Sequence, residues 1–168
     1  MQEIDLFANT IAKVGFEVKQ LEVPDELFAS DAFVAIYERP SAYLAPAITL
    51  IERKDTDAHL KKIIAYAMQK LPPEQFVEFI TAVVASLEQG KTSVEVLETA
   101  AFPAFNWGNQ TLVIHYQDPA VRALLRRILA LPTLSQSSQA YIAEDIFTGK
   151  AKRNYLEYMD MLGRPIPQ

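Results

Sequence analysis

Cysteine is absent, which removes disulfides, thiolate nucleophiles and any cysteine-held zinc or iron–sulfur centre. Glycine is scarce: five in 168 residues, too few and too scattered for a phosphate loop or a dinucleotide fingerprint. Gln89-Gly90-Lys91-Thr92-Ser93 contains Gly-Lys-Thr, but its upstream glycine is missing and it follows a helical pattern instead of a strand. It reads as one helix's end and the next one's start. Histidine occurs twice, Gly-x-Ser-x-Gly is absent, and so is the Glu-x-x-His spacing of di-iron bundles. No long apolar run exists either. Residues 99–117 are uncharged, but Pro103, Asn106, Gly108, Asn109, Gln110 and His115 interrupt them, where a membrane span needs about 20 predominantly apolar residues. Met1-Gln2-Glu3-Ile4-Asp5 is acidic where a secretory leader is basic. A cytoplasmic protein is the default expectation, though a mature exported chain would fit the same composition.

What is present is half hydrophobic and 22% charged, with a net charge of −5. That composition can bury a core, and the length suits one all-helical domain, 1–168. The acids gather early. Residues 1–38 carry eight against Lys13 and Lys19, while the remaining chain is nearly balanced. Overall acidity makes a general nucleic-acid binder less favoured, because such affinity rests on neutralising phosphates.

Punctuation and periodicity together predict an all-α fold. Gly90, Gly149 and Gly163 each close an apolar-periodic run, and Pro24, Pro40, Pro73 and Pro119 each open one. Leu60, Ile63, Ile64, Ala67, Met68 and Leu71 form one helical stripe. Phe76, Val77, Ile80, Val83, Val84 and Leu87 form a second, and Val121, Leu124, Leu125, Ile128 and Leu129 a third. Thr92 with Glu95 fits a capping box, and Asp118-Pro119 an N-cap with a first-turn proline. Helices are expected near 3–20, 25–38, 41–53, 57–71, 73–89, 93–102, 108–116, 119–131, 136–148 and 151–161. Phe33–Tyr37 and Thr111–Tyr116 are the best strand candidates, and both are short and isolated.

Taken in pairs, the second helices begin near 25, 57, 93, 119 and 151, an irregular period near 33. Pro46 to Lys61 ends one helix, turns at Asp55-Thr56-Asp57 and opens the next; Leu112 to Arg122 turns at Asp118-Pro119 in the same way. Both place Asp, two spacers, an aliphatic residue and a base in order. This pattern resembles HEAT-type helical repeats over about 40–162. Asp118, Val121 and Arg122 match closely, and Pro46, Asp57, Leu60 and Lys61 loosely. Thr92-Ser93-Val94-Glu95 departs from it, with neither Asp nor base, and residues 1–38 match nothing. The resemblance implies antiparallel helix pairs stacked as a right-handed α-α superhelix, with 1–38 as an acidic cap and 39–162 as repeats. It also implies a scaffold that holds partners on its second helices. An irregular helical bundle is the alternative.

Candidate chemistry is thin. Asp55-x-Asp57-x-His59 could offer ligands to a divalent cation, but Lys54, Lys61 and Lys62 would repel one, so a helix cap and a solvated turn are the better reading. His115 near Asp118 has no nucleophile beside it in sequence. No catalytic residue, metal site or cofactor is expected, and the balance leans against an enzyme. A ligand pocket would need Tyr43, Tyr66, His115 and Tyr116 to converge. The basic residues say more: Lys61, Lys62, Arg122, Arg126, Arg127, Lys150, Lys152 and Arg153 all fall on the openings or polar faces of second helices. Phe102 to Asn109 holds the single Trp, either a plug between helix pairs or an exposed anchor. The expected function is a non-enzymatic protein-binding module of adaptor, inhibitor or immunity type, contacting another protein's acidic face through Lys62, Tyr66, Trp107, Arg122 and Arg126. A nucleic-acid binder and a small-molecule or enzymatic bundle are the alternatives.

Overall fold

The computed structural model describes residues 31–103 and 108–164, and these are helical, with no strand among them. The chain gathers into two compact units, Met1–Pro103 and Ala104–Gln168. Neither strand candidate is a strand in the structure: Phe33–Tyr37 is helical, and Thr111–Tyr116 is one turn of helix, Thr111–Ile114, followed by a turn of the chain. The helix expected near 3–20, Pro24 and Trp107 lie outside the described residues.

In the first unit the described residues begin with α1 (Asp31–Glu38), which buries Phe33 and Ile36. Pro40 starts a single 3₁₀ turn, Pro40–Tyr43, that leads into α2 (Leu44–Glu52). Pro46 is tolerated inside α2 because the N–H groups of a first turn have no partner within the helix. Then follow α3 (Ala58–Ala67), α4 (Pro73–Glu88) and α5 (Val94–Ala101). The stripes read from sequence supply most of the core, though Leu60, Val77 and Leu87 are half-buried and Phe79, outside those stripes, is buried. Ile63, Ile64, Ala67, Met68 and Leu71 are buried, as are Phe76, Phe79, Ile80, Val83 and Val84. Each such Ile, Leu, Val, Met or Phe side chain contributes about 1.5–3 kcal/mol on leaving water.

The helices pack with a skip of one: α1 against α3, α2 against α4, and α3 against α5, with α4 also meeting α5. Polar contacts fix the direction of α3 and α5. At their starts, Lys61 Nζ donates to the Lys91 carbonyl at 2.7 Å and Lys62 pairs with Glu95 at 2.7 Å. At their ends, Gln69 Nε2 donates to the carbonyls of Ala65 (2.8 Å) and Ala100 (2.9 Å). Start meets start and end meets end, so α3 and α5 run parallel. The two Gln69 N–H groups satisfy one last-turn carbonyl in each helix, acceptors that a helix cannot satisfy itself. On α1, Lys70 binds Glu38 at 2.9 and 3.0 Å and lies 4.8 Å from the centre of the Tyr37 ring.

Glycine closes α4 as expected. Gly90 has φ +72°, its N–H donates to Leu87, and the Lys91 N–H reaches back to Ser86 at 2.8 Å. The starts differ from expectation. Asp57, Ser93 and Asp118 occupy N-cap positions, yet none of their side chains bonds to the helix it precedes. The capping box is not formed: Glu95 turns to Lys62, and Thr92 Oγ1 is buried without a hydrogen-bond partner.

The second unit holds α6 (Thr111–Ile114), α7 (Pro119–Leu129), α8 (Gln136–Ala140) and α9 (Lys150–Met161). Asn109 shortens α6 from the expected 108–116: its Oδ1 accepts from the Thr111 N–H at 3.0 Å, which holds the preceding backbone in a turn. The expected 136–148 helix starts on Ser135, whose hydroxyl accepts from Ser138 N–H, and then widens over Tyr141–Ile146 into a π-helical turn. The Phe147 N–H reaches five residues back to Ile142 at 2.9 Å. Gly149 (φ +80°) then turns the chain into α9, and its lack of a side chain admits the Tyr116 ring; a Cβ there would stand 2.8 Å from the Tyr116 hydroxyl oxygen. Val121, Leu124, Leu125 and Ile128 form the buried side of α7.

Candidate functional site

The candidate surface begins with α7. Its sequence Pro-Ala-Val-Arg-Ala-Leu-Leu-Arg-Arg-Ile-Leu has three arginines and no acid, so the side opposite the buried stripe is cationic. Arg126 and Arg127 lie in the last turn, where the negative end of the helix dipole favours them. Arg122 lies near the first turn, where the dipole disfavours a cation. Its guanidinium sits 4.9 Å from the centre of the Phe147 ring, whose electron-rich face stabilises it. Arg126, one turn further on, is exposed, and its side chain has no ion pair or hydrogen bond among the described residues. A planar guanidinium so placed can take a carboxylate or phosphate in bidentate fashion.

Lys62 and Tyr66 share α3, in the first unit, and each is half-buried. Lys62 is engaged by Glu95 and holds that carboxyl below the usual carboxylate range, first through the hydrogen bond and then through its charge. The structure thus brings Lys62 together with Tyr66, and Arg122 together with Arg126, on two helices of two separate units.

Lys61 corrects the sequence reading. Expected on an exposed basic face, it is 2% exposed and spends its ammonium on the Lys91 carbonyl. Burial pushes its pKa down, opposed by the charge of Asp55. The sequence held a signal for this: Lys61 precedes Ile64 by three and Ala65 by four, and so lies on the edge of the apolar stripe. Asp55 and Asp57 are exposed and His59 is half-buried with its Nε2 unpartnered. Among the described residues, no group of three or more His, Asp or Glu side chains is arranged to hold a metal ion. Of the four residues a pocket would require, Tyr43 and Tyr66 belong to the first unit, and His115 and Tyr116 to the second. Lys150 lies 3.7 Å from Asp145, a long surface contact.

Among the described residues, no helix is long and apolar enough to cross a membrane. No family model, curated protein or solved structure matches this chain.

Proposed function

We propose that this chain is a non-enzymatic protein-binding module of HEAT-like helix pairs, which recognises an acidic protein face through its second helices. The observation that carries the reading is α7: an acid-free helix with an exposed Arg126 that has no side-chain partner among the described residues, beside an Arg122 stacked on Phe147. The repeat reading is supported in the first unit by the packing of α1 on α3 and α3 on α5, with α2 on α4. It is supported too by polar links that span 30, 31 and 32 residues, close to one helix pair.

The test is capture from a lysate of the source organism at low and high salt, with wild type, Arg126→Lys and Arg126→Glu. The reading expects one specific acidic protein that binds wild type, largely survives the lysine change, is lost on charge reversal and weakens with salt. A captured protein indifferent to Arg126→Glu, or no specific protein at all, would refute it. So would steeply salt-dependent binding to an arbitrary DNA duplex, which belongs to the nucleic-acid alternative.

A further inference from the structure

Ala151 is the one buried residue of α9. Among the described residues, the large apolar side chains left exposed are Tyr158 (37%), Met161 (83%) and Leu162 (46%), all at the far end of this helix. Beside them runs a charged stripe. Lys150, Arg153, Glu157 and Asp160 are all exposed and spaced three, four and three residues apart, which places them along one side of the helix. The bases stand at the start and the acids towards the end, the reverse of what the helix dipole favours. Arg153, Glu157 and Asp160 have no side-chain partner among the described residues, and Lys150 reaches Asp145 only at 3.7 Å.

We propose that α9 is a self-association surface, on which a second copy of the chain docks its own α9 antiparallel. The stripe is complementary to itself in that arrangement alone. With the two-fold axis at Tyr155, Lys150 and Asp160 lie five residues either side of the centre, and Arg153 and Glu157 two either side. Each base therefore meets an acid of the partner subunit, whereas a parallel pairing would set like against like. In the same pairing Tyr158 and Met161, on the next stripe round the helix, fall opposite the start of the partner's α9 and are covered there. Antiparallel pairing also sets each helix's unfavourable charges against the opposite end of a second dipole. A helix of this length is about 18 Å long, and offers less than the roughly 800 Å² per partner of a standard stable interface. The dimer is therefore concentration-dependent and weakened by salt. It uses a different helix from the α7 surface and stands without it.

Sedimentation velocity on the full chain, from about 1 μM to about 1 mM at low and high salt, tests this. Two charge-reversed variants are compared: Glu157→Lys/Asp160→Lys and Lys150→Glu/Arg153→Glu. Wild type is expected to dimerise, each variant alone to do so at least about tenfold more weakly, and their equimolar mixture to recover association. Circular dichroism checks that both fold, and Met161→Asp, at the most exposed apolar position, gives an independent loss of dimer. A wild type monomeric throughout, variants that dimerise as well as wild type, or a mixture no tighter than its components would each overturn the proposal.

Discussion

Replacing Gln69 tests the central claim about the first unit, that one amide caps two parallel helices. The residue is 4% exposed, and its Nε2 donates to Ala65 and to Ala100 across a sequence separation of 31. Gln69→Leu keeps approximately the same volume and removes both donors. Two hydrogen bonds are lost at a net of about 1 kcal/mol each, and the stranded carbonyls add desolvation cost, giving about 2–4 kcal/mol in all. With a urea m-value of about 2 kcal/mol/M, the midpoint should fall by about 1–2 M. Gln69→Glu is the sharper comparison. An ionised carboxylate has no donor and would sit at the negative ends of two helices. It should therefore be less stable than Gln69→Leu at pH 7 and recover part of the difference in acid, where the protonated group regains one donor. Urea titrations followed by circular dichroism at both pH values measure this. A leucine variant within about 0.5 kcal/mol of wild type, or a glutamate variant as stable as the leucine one at pH 7, would refute the capping argument.

Gly149→Ala should cost about 1–3 kcal/mol, from left-handed backbone strain and from a Cβ 2.8 Å from the Tyr116 hydroxyl oxygen. In a double-mutant cycle, Tyr116→Phe should return part of that loss; strictly additive values would exclude the contact. Lys62 holds the Glu95 carboxyl below its ordinary value of 4.5. Its contribution is thus present above that value and lost as pH falls through the lower folded one. The stability difference between wild type and Glu95→Gln should accordingly shrink in acid titrations. Burial lowers the Lys61 pKa from 10.5, so the unfolded chain binds more protons between the folded value and 10.5, and stability rises with pH there. Comparing unfolding free energies at pH 7 and pH 10, wild type should show that gain and Lys61→Met should lack it.

The helix cores were legible because their determinants are local. Ile63, Ile64 and Met68, or Phe76, Ile80 and Val83, repeat at helical spacing, and a helix of that pattern has one face to bury. Gly90 and Gly149 were legible for a similar reason, since their positive φ values suit a helix boundary. The polar details were not. Thr92 and Glu95 have the spacing of a capping box, but Lys62 lies on another helix and takes the carboxylate. Lys61 lies on the edge of the apolar stripe, but nothing near it in sequence shows that the Lys91 carbonyl will arrive beside it. The role of Gln69 has no local sequence signal for the same reason. Its second acceptor is 31 residues away. Within the candidate surface, the shared face of Arg122 and Arg126 is readable from helix geometry, while the Phe147 ring under Arg122 depends on a π-helical turn that composition does not announce.

The spans of those polar links bear on how the first unit is assembled. Lys70 to Glu38, Lys61 to Lys91 and Gln69 to Ala100 each join residues 30 to 32 apart. None has to wait for a distant part of the chain. A helix leaving the ribosome meets its docking site on residues made one helix pair earlier, and the entropy of closing each loop is nearly the same every time.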